Sequence, residues 1–173
     1  WVAMGRALLQ DSPVFAAQVA RCDQALSEFV DWSLTDVLRG AGGASLDRVD
    51  VVQPALWAIM VSLAEVWKAH GVVPDAVAGH SQGEIAAAQV AGVLSVRDAA
   101  KIVALRSQAL ARLAGGGGMI SVSLPVAEVA EAIGHRQDQV CVAAVNGPAS
   151  TVLAGERAVL DELLAGYEAR DVR

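Results

Sequence analysis

The sequence has few of the residues that cross-link small secreted domains or hold metal ions. It contains 2 cysteines, Cys22 and Cys141, which lie far apart and outside any C-x-x-C pattern, and only 3 histidines. Isolated cysteines of this kind are typical of reduced, packed thiols, so we expect a cytoplasmic protein without disulfides. Because cysteine and histidine do not cluster, we also expect no bound metal.

Basic charge and long apolar runs are scarce as well. The 13 Lys and Arg residues are outnumbered by 19 Asp and Glu, which argues against nucleic acid as a partner. The longest apolar run, from Pro54 to Ala64, ends at Glu65 and is shorter than the roughly 18 residues of a membrane span. Apolar residues make up 54% of the 173 residues, however, which predicts a globular protein with an ordinary core.

Residues 1–114 are dominated by helical periodicity. The pattern predicts helices from Pro13 to about Phe29, from Pro54 to about Ala69, from Glu84 to Ala91 and from Ser95 to about Leu113. The second helix is apolar almost all round, as expected for a helix buried inside a domain. Between the first two, residues 40–45 are rich in glycine and predict an exposed loop.

The glycine run Gly115–Gly118 ends this pattern, and residues 115–173 alternate differently. The predicted elements are a strand at Met119–Leu124, a helix at Pro125–Ile133, a strand at Val140–Val145, a turn at Asn146–Pro148, a strand at Thr151–Ala154 and a helix from about Glu156 to Ala169. This β-α-β-β-α order is a ferredoxin-like plan that lacks its final strand. We therefore predict an α/β protein with two subdomains, residues 1–114 and 115–173.

Residues 79–83 read Gly-His-Ser-Gln-Gly, a G-x-S-x-G motif. Pro74–Ala78 predicts a short strand before it, and a helix follows, which is the arrangement of a nucleophile elbow. The sharp turn strains the backbone of Ser81, and we expect glycine on both sides because a side chain there would clash. The start of the helix supplies N–H groups where an oxyanion would form. Ser81 is therefore the candidate nucleophile.

Arg106 is the candidate substrate-binding cation. Helical spacing places it opposite the solvated stripe of its helix, among Ala99, Ile102, Val103, Ala109, Leu110 and Leu113. It has no acidic residue three or four positions away, and an unpaired buried charge is costly. Arg106 could pair with a distant carboxylate of the protein, or it could hold the free carboxylate of a substrate with both prongs of its guanidinium. The sequence leaves both open.

Four segments together carry a family resemblance: Arg48–Leu56, Gly79–Ala88, Val103–Ser107 and Ala143–Pro148. They resemble the acyltransferase domain of bacterial modular type I polyketide synthases, relatives of the malonyl-CoA:acyl-carrier-protein transacylases. The resemblance implies a large α/β-hydrolase-like subdomain and a small ferredoxin-like one. It also implies that one oxyanion segment precedes Trp1 and that the general-base histidine follows Arg173, so we expect the chain to be incomplete at both ends and inactive by itself.

The resemblance implies a ping-pong reaction in which Ser81 takes an acyl group from CoA and the phosphopantetheine thiol of an acyl carrier protein removes it. The backbone N–H of Gln82 would be an oxyanion donor, and Arg106 would bind the carboxylate of the extender unit. Gln82 and residues 48–53 match the pattern associated with methylmalonyl, which leaves malonyl and ethylmalonyl as alternatives. We assign Gln53 and His80 to substrate binding, and we expect His80 to line the elbow rather than act as the base.

Residues 48–53 also permit a purely structural interpretation, a loop that leads into a helix at Pro54 with Gln53 held extended. The implied partners are the carrier protein, the ketosynthase and other synthase domains of the same polypeptide, with no bound cofactor. Two further classes remain. A serine esterase or thioesterase would share the elbow but has no use for Arg106, whereas a non-catalytic binding domain would keep the fold and lose Ser81.

Overall fold

The computed structural model describes residues 3–113 and 115–172. The chain divides between Arg112 and Leu113 into two compact units, which we call the helical unit and the sheet unit. Helices and a sheet are both present, as the predicted α/β class requires. The helices that begin in the helical unit are α1 (Arg6–Asp11), α2 (Pro13–Leu26), α3 (Leu34–Arg39), α4 (Val49–Ala69), α5 (Gly83–Val90) and α6 (Val96–Leu113).

The start of α2 and the start of α3 are fixed by side chains that accept hydrogen bonds from the first free N–H groups. Ser12 accepts from the Phe15 N–H at 3.3 Å, with Pro13 in the first helical turn. The carboxylate of Asp23, on α2, accepts from the N–H groups of Leu34 and Thr35 at 2.8 and 3.1 Å. Such caps satisfy donors that a helix leaves free, so Asp23 joins the two helices.

Helix α4 begins at Val49, which corrects the prediction of a loop up to Pro54. Pro54 lies inside the helix, and Gln53 before it is helical rather than extended. Proline removes one backbone hydrogen bond, here the one from position 54 to the carbonyl of Asp50. Burial outweighs this loss, because α4 is packed between α2 and α5 with these residues out of solvent: Val51, Pro54, Ala55, Trp57, Ala58, Ile59, Val61 and Ser62.

Within the described residues, α4 alone has the length, 21 residues, and the mean hydropathy, 1.5, of a membrane span. A core helix of a globular protein passes the same test, so the finding is weak. The prediction of an apolar helix buried in a domain holds for the first half of α4. It is wrong for Trp67, which is 58% exposed.

The predicted strand at Pro74–Ala78 is not formed. No β-strand lies within residues 3–113, so this segment has no neighbour with which to make a ladder of hydrogen bonds. It runs as irregular chain from the end of α4 to the turn that precedes α5. Two short helices, α1 and α3, were not predicted because neither is long enough to show a helical period.

The sheet unit contains β1 (Gly118–Val122), α7 (Val126–Ile133), β2 (Val140–Gly147), β3 (Ser150–Gly155) and α8 (Arg157–Glu168), so the predicted β-α-β-β-α order is confirmed. Its three strands lie in the order β1-β3-β2, and both pairings are antiparallel. Its separate core is formed by Val122, Val129, Ile133, Val140, Leu153, Val159, Leu160 and Tyr167.

Two serines of the helical unit offer a matched test of buried polarity. Ser62 and Ser107 are both fully buried in helices. The Ser107 hydroxyl donates to the Ala104 carbonyl at 3.0 Å, whereas the Ser62 hydroxyl has no partner among the described residues. An unsatisfied buried hydroxyl costs about 1–3 kcal/mol. We expect Ser62→Ala to raise the free energy of unfolding and Ser107→Ala to leave it unchanged or lower it, as measured by urea denaturation. Equal effects of the two changes would contradict this account.

Candidate active site

Ser81 lies at a sharp turn immediately before α5. Its φ is 54°, in the left-handed region that residues other than glycine seldom adopt. Such a conformation costs about 1–3 kcal/mol and persists where the surrounding structure imposes it, most often at functional sites. The side chain of Ser81 is exposed. The turn and the helix of a nucleophile elbow are therefore present, whereas the strand predicted before them is not formed.

Gly79 is required by the close approach of the chain on the two sides of this turn. A Cβ atom built on Gly79 would lie 2.3 Å from the backbone N and Cα atoms of Glu84, which no side chain could tolerate. A Cβ on Gly83 would meet no described atom within 4 Å. The expected clash is thus present at the first glycine of the motif and absent at the second, which corrects the prediction that both are needed for space.

The turn brings backbone N–H groups to the start of α5. The N–H of Gly83 donates to the His80 carbonyl at 2.9 Å, and that of Glu84 donates to the Ser81 carbonyl at 3.2 Å. Among the described residues, no hydrogen bond uses the backbone N–H of Gln82. This N–H, next to the serine and at the positive end of the helix, is available to an oxyanion. The side-chain oxygen of Gln82 is buried and lacks a partner within the same residues.

The histidines lie as the sequence predicts. His70 is at the end of α4, where its Nδ1 is 2.8 Å from the Val66 carbonyl oxygen. His135 is exposed in a turn of the sheet unit. His80 is exposed and adjoins Ser81, and its assignment to substrate binding stays a prediction.

Cysteine chemistry and metal binding have little support in the helical unit. Burial raises the pKa of the Cys22 thiol to about 12, so its thiolate is scarce at neutral pH and it is a poor nucleophile. The residues that the structure describes contain no group of three or more His, Cys, Asp and Glu side chains arranged to hold a metal ion. Among the described residues of the helical unit, Ser81 therefore stays the candidate nucleophile.

Arg106 lies at the edge of the buried face of α6 rather than at its centre. The buried residues are Ala99, Ala100, Val103, Ala104 and Ser107. Ile102 and Leu113, which were predicted to surround Arg106, are 42% and 72% exposed. Four residues of this narrower stripe, Ala99, Ala100, Val103 and Ala104, belong to the core of the helical unit. Arg106 is half-buried beside the stripe.

The partner of Arg106 is an amide and not an acid. Its Nη1 donates to the Oε1 of Gln53, on α4, at 2.8 Å. No described carboxylate forms an ion pair with it, whereas Arg48, Arg97 and Arg136 are paired with Asp50, Glu28 and Glu162, respectively. The structure thus brings together two of the predicted substrate-binding residues, Gln53 and Arg106. The positive charge of Arg106 therefore has no carboxylate within ion-pair distance among the described residues.

Helix α4 also contacts the elbow helix from the same side. Trp57, one turn after Gln53, is fully buried, and its indole N–H donates to the Gln89 side chain of α5 at 3.0 Å. Residues four apart lie on one face of a helix, so Gln53 and Trp57 are neighbours on α4. Gln53 contacts Arg106 of α6, and Trp57 contacts Gln89 of α5. Neither contact could be predicted from the sequence, because each joins side chains of residues far apart in the chain.

An apolar cavity of about 460 Å³ lies between α4, α5 and the irregular segment before the elbow. Its lining includes Met60, Trp67, Val77, Ala86 and Val90. No titratable side chain is among the described residues that line it, and neither Ser81 nor Arg106 is one of them.

The chain matches the family model described as the acyl transferase domain over residues 1–173. It is 58% identical over 179 residues to polyketide synthase GfsE of Streptomyces halstedii, covering 100% of this chain and 5% of that protein. The acyltransferase domain from module 8 of the salinomycin polyketide synthase is 59% identical with a TM-score of 0.94, covering 100% of this chain and 41% of that structure.

A third relative is the acyltransferase domain of SpnD, solved in complex with 2-(pent-4-yn-1-yl)malonyl. It is 30% identical with a TM-score of 0.88, and the match covers 100% of this chain and 40% of that structure. The chain thus spans less than half of these two solved structures and a small part of the synthase. By the family match along its whole length, the chain belongs to the acyl transferase domain family of the polyketide synthases.

Proposed function

We propose that this chain supplies the nucleophile and the carboxylate-binding arginine of an acyltransferase that moves an extender unit, methylmalonyl, from CoA to an acyl carrier protein. The observation that carries the reaction is the left-handed backbone of Ser81 at the start of α5. The observation that carries the substrate class is Arg106, which has an amide rather than a carboxylate as its partner.

In the first half of the reaction, the Ser81 oxygen attacks the thioester carbonyl of the acyl-CoA and loses its proton to a base. The N–H of Gln82 donates to the oxyanion of the tetrahedral intermediate, which collapses to an acyl-serine as the CoA thiolate leaves. In the second half, the phosphopantetheine thiol of the carrier protein attacks the acyl-serine, and the Ser81 hydroxyl is regenerated. The two halves have the same chemistry, so one oxyanion site serves both. None of the described histidines is assigned as the base.

Arg106 supports a dicarboxylic substrate. A methylmalonyl group carries one free carboxylate, and a guanidinium binds a carboxylate through two parallel hydrogen bonds. With Nη1 held by Gln53, the remaining N–H groups of Arg106 are available to the substrate. The malonyl derivative bound by the SpnD domain belongs to the same chemical class and supports this choice. A serine esterase would have no comparable use for this arginine.

The preference for methylmalonyl over malonyl or ethylmalonyl rests on Gln82 and on residues 48–53. One methyl group in an apolar pocket is worth about 1–3 kcal/mol, so we propose a preference rather than complete exclusion of malonyl. We propose that the chain acts in the cytoplasm, in one polypeptide with a ketosynthase and other synthase domains. It would need no bound cofactor, since the carrier protein brings the phosphopantetheine.

The nucleophile is tested by intact-protein mass spectrometry on the protein that carries this chain. After incubation with methylmalonyl-CoA, we expect one acyl adduct, and we expect Ser81→Ala to abolish it because no other described group combines exposure with the elbow geometry. Ser95→Ala, at an exposed serine that pairs with Asp98, is the matched control and should keep the adduct. An adduct of equal yield in Ser81→Ala would overturn the assignment.

The substrate class is tested by the ratio of methylmalonyl to propionyl transfer to the carrier protein. Arg106→Ala should lower methylmalonyl transfer roughly ten- to a hundredfold, because a hydrogen bond between charged groups contributes about 1.5–3 kcal/mol. Propionyl brings no charge to the site, so its transfer should be kept. The control is Arg97→Ala, on the same helix, which removes an exposed ion pair with Glu28. If both acyl groups are affected equally and the melting temperature falls, Arg106 is structural.

A further inference from the structure

We infer that Gln53 is a positioning residue whose neutrality keeps the charge of Arg106 available to the substrate. The inference rests on the proposed carboxylate-binding role of Arg106. The two residues are 53 positions apart, and their side chains meet at 2.8 Å between α4 and α6. This hydrogen bond fixes one N–H group and so orients the plane of the guanidinium, whose positive charge is not neutralised because the acceptor is neutral.

The chemical identity of the partner matters more than the contact itself. A glutamate of the same length could accept the same hydrogen bond, and it would form an ion pair at least as favourable to folding as the present contact. It would, however, compete with the carboxylate of the substrate for the same cation. An amide oxygen accepts a hydrogen bond and carries no net charge, so it aims Arg106 without competing.

The surrounding charges are consistent with this role. Asp50 lies three residues before Gln53, and positions three apart are neighbours on a helix surface. This carboxylate is already held by Arg48, whose Nε and Nη2 atoms lie 3.1 and 2.6 Å from its two oxygens. The Arg48 guanidinium also holds the pKa of Asp50 below its usual range. The acid closest in sequence to Gln53 therefore has its own partner.

The two ends of segment 48–53 together determine which charges lie near Arg106. At one end Arg48 forms an ion pair with Asp50, the single acidic residue of the segment. At the other end Gln53 presents a neutral oxygen to Arg106. The four residues between them are Val49, Asp50, Val51 and Val52, and of these Val51 is buried in the core. This arrangement selects for a substrate carboxylate in general and does not by itself distinguish one malonyl derivative from another.

The decisive variant is Gln53→Glu, compared with the parent in the protein that carries this chain. We expect the ratio of methylmalonyl to propionyl transfer to fall about tenfold or more, through a higher KM for methylmalonyl-CoA, because the introduced carboxylate occupies Arg106. Propionyl transfer should be kept. The melting temperature should be unchanged or higher, since the new ion pair stabilises the fold. A residue needed only for packing would not separate stability from selectivity in this way.

Two further variants complete the experiment. Gln53→Met keeps the length of the side chain and removes the acceptor, so it should lower the ratio less than Gln53→Glu does. Gln24→Glu makes the same chemical change at an exposed position of α2 and should leave the ratio at the parental value. Comparison of these variants separates the effect of orienting Arg106 from the effect of a protein carboxylate that competes with the substrate for it.

The outcomes distinguish the inference from the function on which it rests. If Arg106→Ala lowers the ratio and Gln53→Glu does not, the carboxylate-binding role stands and the inference is wrong. If Gln53→Glu lowers both transfers equally together with the melting temperature, Gln53 is a packing residue and the inference is also wrong. If Arg106→Ala leaves the ratio unchanged, the proposed substrate class itself fails.

Discussion

The helical unit depends on the burial of α4. This helix is packed between α2 and α5, and fully burying a large apolar side chain such as Trp57 contributes about 1.5–3 kcal/mol. That burial is sufficient to carry the helix through Pro54 despite a missing backbone hydrogen bond. The same helix then positions both parts of the candidate site, since Trp57 binds the elbow helix and Gln53 binds Arg106. Packing and function therefore share one element.

The electrostatic pattern of the site follows from the same geometry. Arg48 and Arg97 form ion pairs and are exposed, and at the surface such pairs contribute little to stability because water and salt screen them. Arg106 is half-buried, where desolvation makes an unmatched charge more costly and a matching ligand more valuable. The protein reduces that cost with a dipole, the Gln53 amide, rather than with a counter-charge. Affinity for an anion is the expected result.

Much of this could be predicted from the sequence, and the failures have physical causes. The elbow was predictable because its glycine and serine have local backbone requirements, which the Ser81 φ and the close approach at Gly79 display. The sheet unit was predictable because the spacing of apolar residues changes after Gly118 from a helical pattern to short strands that alternate with helices. The strand at Pro74–Ala78 was wrong because strands depend on neighbours that the local sequence does not show. The Gln53–Arg106 contact was not predictable because it joins residues far apart in the chain.

The left-handed backbone of Ser81 limits which nucleophiles this turn can evolve to use. A β-branched side chain is a severe outlier at positive φ, so threonine, although it carries the same hydroxyl group, is sterically excluded at this position. Cysteine has the same branching as serine and fits the turn. Backbone shape therefore disfavours a threonine ester as the acyl-enzyme at this elbow, before any question of reactivity arises.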